Sequence, residues 1–296
     1  MGSWSSSRTI TKQTWGVVRQ NPYMLGFPAL AGVVAAVAVV AVAGVGFGLL
    51  GLTGAADQLA ENGTTEDNSA IVIGIIVLAV AAYLGTLITQ VCMAGLVKAA
   101  DEELQGRDSS FGAGISAAFG HLPALLGWAA IQTVVGWILS AIRGNGQSGS
   151  AVADIARIGL AGLAQVAWSV VSFFVLPLIV LRGNGPVEAV KQSFSMIRAT
   201  WGMQIAGGVR LGFLVALLGL LPGIAAIIGG VFLMVGDYLA LGVPLVTLGL
   251  IVVVLAQVLI SALRAVFSVA LFHYAEGGQA VGPYSATELR SSVRVR

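Results

Sequence analysis

Ionic side chains are what this chain has least of. Among 296 residues, 15 are Lys or Arg and 13 are Asp or Glu, together 9%, where a soluble domain carries about 25% charge. There are two histidines, His121 and His273, and a single cysteine, Cys92. One thiol excludes an intramolecular disulfide, and no Cys/His spacing supplies a zinc ligand set. The motifs HExxH, GxSxG, the Walker lysine loop and paired intramembrane aspartates are all missing. No metal and no cofactor is expected. A net charge of +2 without a basic stripe argues against nucleic acid as a partner. In place of charge stand 57% apolar residues and 40 glycines, which excludes a disordered chain. The solvent for most of this sequence is lipid.

Charges are expensive in hydrocarbon, so the stretches between them mark the segments able to cross it. A helix needs about 20 apolar residues to do so. Six charge-free stretches qualify, at 20–56, 68–97, 109–142, 158–181, 211–236 and 238–263. They predict helices near 27–52, 70–97, 122–142, 158–181, 203–233 and 241–272. The fold class expected is therefore all-α, a polytopic bundle of six transmembrane helices. The first span, with Ala41-Val42-Ala43, has the look of a secretory signal, but its charged leader is long and contains Pro22, unlike such a signal.

An even number of spans places both termini on one side. Lysine and arginine are retained on the cytoplasmic side of a membrane, and Arg8, Lys12, Arg19, Lys98, Arg107, Arg182, Lys191, Arg198, Arg290, Arg294 and Arg296 all fall on the side of the termini. The outer loops hold Arg143 and Arg157, and the first of them carries Asp57, Glu61, Glu66 and Asp67. The location expected is the cell membrane, multi-pass, with cytoplasmic N- and C-termini.

Val187, Val190, Phe194, Ile197 and Trp201 recur at 3, 4, 3, 4 spacing, with Glu188, Lys191, Gln192, Ser195 and Arg198 elsewhere on the helix. Such a segment is amphipathic and suits the headgroup layer. Lys12-Gln13-Thr14-Trp15 with Arg19 matches Lys191-Gln192-Ser193-Phe194 with Arg198 at a constant offset of 179 positions, and a weaker copy runs through Phe111, Ile115, Phe119 and Leu122. Gln165, Val166 and Ser169 match Gln257, Val258 and Ser261 at an offset of 92. The chain divides into three parallel repeats, each an amphipathic elbow helix followed by a transmembrane hairpin. The units are 1–103, 104–185 and 186–280, with a cytoplasmic tail at 281–296; parallel repeats are a known way to build membrane proteins.

Trp15 to Pro28, Leu176-Pro177-Leu178 followed by Glu188-Ala189-Val190-Lys191-Gln192-Ser193, and Ala270-Leu271-Phe272-His273-Tyr274-Ala275 resemble a group of uncharacterised prokaryotic six-span membrane proteins. That group is similar in layout to the membrane domain fused to some glycerophosphodiester phosphodiesterases. The resemblance spans about residues 8–280 and implies a multi-pass prokaryotic protein of unassigned role. This chain has neither the soluble phosphodiesterase domain nor its acidic-histidine metal cluster, so that chemistry does not carry over.

The ligand candidates are basic. Arg210 and Arg264 each lie in an otherwise apolar helix, where an ionisable group is by default a functional hypothesis, with snorkelling to lipid phosphate as the plainer role. Lys12, Arg19, Lys191 and Arg198 on the elbows complete the set of residues expected to meet anionic headgroups. Leu221-Pro222-Gly223 and Gly242-Val243-Pro244 mark kinks. Gln90, Gln132, Gln165 and Gln257, with Thr86, Thr89, Ser169, Ser172, Ser261 and Ser268, read as interhelical hydrogen-bonding groups. Glycine pairs at 44/48, 208/212 and 219/223 have the spacing of close helix packing. His121 and His273 are expected to cap helix ends without acidic neighbours. The turn holding Asp101, Glu102 and Glu103 reads as a solvated loop, and the tail as disordered.

The function expected first is non-catalytic: a protein that organises or senses the bilayer, with three basic elbow helices gripping anionic lipid of the cytoplasmic leaflet. A permease or exporter of a small anionic or amphipathic solute is the alternative, and an intramembrane enzyme of lipid metabolism the third. A homo-oligomer or a second membrane subunit is compatible with each. The layout has a direct check. In a Cys92→Ala background, a cysteine at Asn62 should react in intact cells with a membrane-impermeant maleimide, and one at Ser291 should not; the reverse pattern would invert the topology.

Overall fold

The structure is a computed structural model that describes residues 2–52, 68–144, 151–201 and 210–285, without the side chains of 2–10, 68–69, 151–154, 200–201 and 210–219. Helix α1 (Gly2–Gln20) leads through a 3-10 turn, Pro22–Leu25, into α2 (Gly26–Leu52). Then follow α3 (Asn68–Leu104), α4 (Phe111–Gly120), α5 (Leu122–Arg143), α6 (Ala151–Val171), α7 (Val175–Arg182), α8 (Pro186–Trp201), α9 (Arg210–Val235) and α10 (Leu239–Gly277). No strand occurs among the described residues. Hydrocarbon offers the backbone no partner, so an apolar segment must satisfy its own N–H and C=O groups, which a helix does.

Five of the described stretches are long and apolar enough to cross a membrane: Pro22–Leu52, Ala70–Leu104, Leu122–Arg143, Ile155–Arg182 and Leu239–Gly277. Two are much longer than a crossing requires. Helix α3 has 37 residues and α10 has 39, or about 55 and 58 Å at 1.5 Å per residue, against about 30 Å of hydrocarbon. The surplus lies at one end, where the core also sits. Val18, Met24, Phe27, Leu96, Leu125, Trp128, Phe174, Leu178, Val266 and Phe272 are buried in one cluster. Val18 comes from α1, and the others come from the ends of the spans that adjoin α1, α4 or α8, the elbow end of the molecule.

Helix α3 is the hub of that cluster, touching α2, α4, α5, α7 and α10. Toward the opposite end the helices run as hairpins with exposed apolar faces, such as Val37, Val40 and Leu52 on α2 and Leu241, Val254 and Leu255 on α10. Surfaces of that kind are at home against acyl chains.

Glycine sets the closest of these hairpins, but not at the spacing expected. A Cβ placed on Gly230 would lie 2.8 Å from the Gly242 carbonyl oxygen, and one on Gly249 would lie 2.7 Å from that of Gly223. Gly223 and Gly230 on α9 thus face Gly249 and Gly242 on α10, seven residues apart on each helix, as in a left-handed antiparallel seam. Among the described residues a Cβ on Gly44 or Gly48 would meet nothing within 4 Å, so that GxxxG pair packs against none of them. Gly208 lies outside the described residues, and the surroundings of Gly212 and Gly219 are not described. Pro222 and Pro244 fall inside continuous helices; the chain breaks elsewhere, as set out below.

Gly230→Val and Gly249→Val should each lower the stability of the purified protein by about 1–3 kcal/mol through overpacking, whereas Gly44→Val should leave it unchanged. Thermal denaturation in detergent, followed by size-exclusion chromatography, checks this. Equal losses at all three positions would remove the close seam from the fold.

Candidate functional site

The three short helices at the elbow end share one burial register. Thr14, Gly114 and Ser193 are buried, and so, one turn later, are Val18, Ala118 and Ile197. Small residues fill the seats where backbones come close: a Cβ on Gly114 would sit 2.6 Å from the Gly95 carbonyl oxygen of α3. The large apolar groups point outward instead. Trp15, Phe119, Val187 and Phe194 are exposed, so the stripe through Val187, Val190, Phe194 and Ile197 is split, with Ile197 inward and Val187 and Phe194 outward. Lys12, Arg19, Lys191 and Arg198 are exposed on the same outer sides. Helix α4 contains no lysine or arginine, which corrects the expectation of three basic elbows to two.

Each of these helices seats against the end of a span. Helix α4 lies on α3, α8 lies on α7, and α1 lies on α10. The starts of the odd-numbered spans repeat a second contact: a Cβ on Gly26 would meet the Phe111 ring at 3.4 Å, and one on Gly127 would meet Pro186 Cγ at 2.8 Å. Phe111 and Pro186 are the first residues of α4 and α8.

The fourth span, expected to be continuous, is broken between Val171 and Val175. Non-helical backbone buried in a protein core persists only where its polar groups find partners. Ser193 of α8 supplies them. Its hydroxyl donates to the Val171 carbonyl at 2.6 Å and accepts from the Phe174 N–H at 3.2 Å. At the far end of α7, Gly183 adopts a left-handed conformation with φ of 70°, and the Gly183 and Asn184 N–H groups cap the Ile179 and Leu178 carbonyls, the usual use of glycine after a helix.

Arg264 reaches this break from α10. Its Nη2 lies 3.5 Å from the Ser169 carbonyl oxygen, and its guanidinium stands 6.0 Å from the centre of the Phe173 ring, within the range of a cation–π contact. Arg210 opens α9, and its side chain lies outside the described residues. Nothing described brings the two arginines together.

A polar network ties the elbow end shut. Asp101 of α3 is buried, and its carboxylate accepts from His273 Nε2 and from Gln105 Nε2, each at 2.6 Å. Tyr23 donates to Glu103 at 2.9 Å, Lys98 pairs with Glu102 at 3.2 Å, and Arg182 pairs with Glu276. The expectation of a solvated loop at Asp101, and of a His273 without an acidic neighbour, is thereby overturned. The two residues are 172 positions apart, a pairing no local pattern reveals. His121 does follow expectation, closing α4 with Nδ1 3.0 Å from the Ala117 carbonyl. Beyond α10, Tyr284 is buried and donates to Thr14 Oγ1 at 2.8 Å. Burial pushes its phenol up to about 12, so it stays a donor at neutral pH. The tail expected to be disordered is therefore anchored as far as Ser285, and residues 286–296 lie outside the described ones.

The polar side chains within the spans act mostly inside their own helices. Thr86, Thr89, Ser169, Ser172 and Ser268 each bond a carbonyl three or four residues back, a common way to satisfy a hydroxyl in a helix. Two bond between helices: Gln132 accepts from Trp168 Nε1 at 2.8 Å beside the stacked Trp128 and Trp168 rings, and Tyr83 donates to the Leu126 carbonyl at 3.3 Å. No group of three or more His, Cys, Asp or Glu side chains placed to hold a metal ion occurs among the described residues.

An all-helical chain with several membrane-crossing lengths and its polar groups gathered at one end has the build of an integral membrane protein. More narrowly, it belongs to a family of unknown function, DUF6159, whose model matches residues 69–282. No curated protein and no solved structure matches it.

Ser193→Ala strands both the Val171 carbonyl and the Phe174 N–H, and a buried polar group left unsatisfied costs about 1–3 kcal/mol. The variant should melt earlier than the parent by that amount, while Ser195→Ala on the exposed side of α8 should not. If the two variants behave alike, Ser193 does not hold the break.

Proposed function

We propose that this protein is a non-catalytic, multi-pass component of the cell membrane that organises or senses the inner leaflet by engaging anionic headgroups. Six spans in three like-oriented repeats carry it, with both termini in the cytoplasm and α9 as the fifth span beside α10. The observation that carries this reading is the shared register of the elbow helices. It turns Lys12 and Arg19 outward beside Trp15, and Lys191 and Arg198 outward beside Phe194. Aromatic rings of that kind settle at the headgroup level, and basic side chains beside them are drawn to anionic lipid by about 1 kcal/mol each.

The repeat reading draws support from the seating of each elbow on a span end and from the paired contacts Gly26–Phe111 and Gly127–Pro186. With α1 resting on α10, the series closes on itself as a ring of three units. Likeness in layout to the membrane domain fused to glycerophosphodiester phosphodiesterases belongs to this architectural proposal alone.

A permease or exporter, with Arg210 or Arg264 facing a solute, is the alternative, and an intramembrane lipid enzyme the third. The broken fourth span is the feature closest to a transporter's discontinuous helix. Its freed groups are occupied by Ser193 rather than turned toward a path, which favours the non-catalytic reading.

Peptides covering 8–20 and 186–201 test it by flotation with vesicles. The 186–201 peptide has two basic residues and the 8–20 peptide three; at about 1 kcal/mol each, two amount to a preference of roughly 30-fold for anionic over zwitterionic vesicles. It should fade as salt rises and vanish in the Lys191→Gln/Arg198→Gln peptide. Binding indifferent to vesicle charge would defeat the proposal.

A further inference from the structure

On α10, Gln257, Ser261, Arg264 and Ser268 recur at 4, 3, 4 spacing and so lie along one face. On α6, Gln165 and Ser169 recur likewise, with Ser172 just beyond the helix end. The two stripes meet where Arg264 approaches the Ser169 carbonyl. Gln165, Gln257 and Arg264 are exposed, and Ser169, Ser172 and Ser261 are half-buried. Among the described residues no carboxylate lies within ion-pair distance of Arg264. Farther from the elbow end, along the same faces, the polar side chains give way to exposed apolar ones: Ile158 on α6, Val254 and Leu250 on α10.

Depth can be measured along α10. Arg264 lies about 25 residues past Leu239, roughly 37 Å at 1.5 Å per residue, which is beyond the hydrocarbon thickness of about 30 Å. That length brings the guanidinium to the phosphate level of the leaflet at the elbow end. The stripes then run from a cation at phosphate depth, through serine and glutamine one to two turns deeper, to apolar side chains deeper still. A phospholipid has the same sequence of chemistry: phosphodiester, glycerol esters, acyl chains.

We infer that the polar strip where the fourth and last spans meet is a lipid-binding cleft that holds one glycerophospholipid of the inner leaflet, its phosphodiester on Arg264. Ser261, Gln165 and Gln257 face the glycerol-ester region, and the acyl chains run along Ile158 and Val254. A guanidinium suits this task because it forms paired hydrogen bonds to a phosphate. The inference rests on the proposed orientation of the elbow end toward the inner leaflet, but not on the elbows' preference for anionic lipid.

The test uses the full chain, purified in mild detergent and weighed by native mass spectrometry. The parent should retain one phospholipid. Arg264→Gln should lower occupancy at least tenfold, and Arg264→Lys should lower it less. Ser261→Phe fills the cleft while leaving the charge in place and should also empty it, so the answer stands even where Arg264→Gln fails to fold. A chain with Lys12, Arg19, Lys191 and Arg198 all changed to Gln should keep its lipid. Loss there as well would merge the cleft with the elbows and overturn a separate site. Retention of the phospholipid by both Ser261→Phe and a folded Arg264→Gln would overturn the inference, as would its displacement by excess inorganic phosphate. Elbow peptides that ignore vesicle charge would, by contrast, remove the proposed function and leave the cleft untouched.

Discussion

Everything in this fold answers to one constraint: inside hydrocarbon each peptide group must find its partner within the protein. Unbroken helices meet the requirement locally, and the described spans do so through Pro222 and Pro244, where sequence raised the prospect of a break. A buried core makes the same demand, and where the helix does fail, between Val171 and Val175 at the elbow end, a side chain from another element was needed. Ser193 donates one hydrogen bond and accepts another there. A local backbone requirement thus becomes a tertiary contact, joining an interfacial helix to the span before it.

The same logic explains why the core is one-sided. Apolar burial between helices gains little in lipid, since acyl chains are as apolar as leucine. Dense packing therefore gathers where helices leave the hydrocarbon and water returns as the competing solvent. Met24, Phe27, Leu96, Trp128, Phe174 and Phe272 are buried together at that end, and the polar links Asp101–His273, Tyr23–Glu103 and Arg182–Glu276 lie there too. Away from it, backbone proximity takes over, with Gly223 and Gly230 set against Gly249 and Gly242.

How much of this was legible beforehand varied with the range of the interaction. Helical class and the long apolar stretches follow from charge spacing, because the cost of a charge in lipid is local. The match of Thr14 with Ser193 was visible in the aligned Lys-Gln-Thr-Trp and Lys-Gln-Ser-Phe segments, and both prove to be buried hydroxyls with tertiary partners. Their inward direction was not visible, since hydrophobic periodicity favours Phe194 for the interior and cannot register that a small residue fits where backbones touch. The break in the fourth span hid in Val170-Val171-Ser172-Phe173-Phe174-Val175, which reads as an uninterrupted apolar run. Asp101 looked solvated because its partner, His273, comes from the other end of the chain. Gly44 and Gly48 had the conventional spacing yet face open space, while the glycines that touch are seven apart.

The link between Thr14 and Tyr284 joins positions 270 residues apart. A ribosome makes the first of these long before the second, so the N-terminal helix emerges with no seat and must wait on the membrane surface through the synthesis of every span. Its seat on α10 and the Thr14–Tyr284 bond become available only after the last span has been made, so the first helix of the chain is held by the last one synthesised.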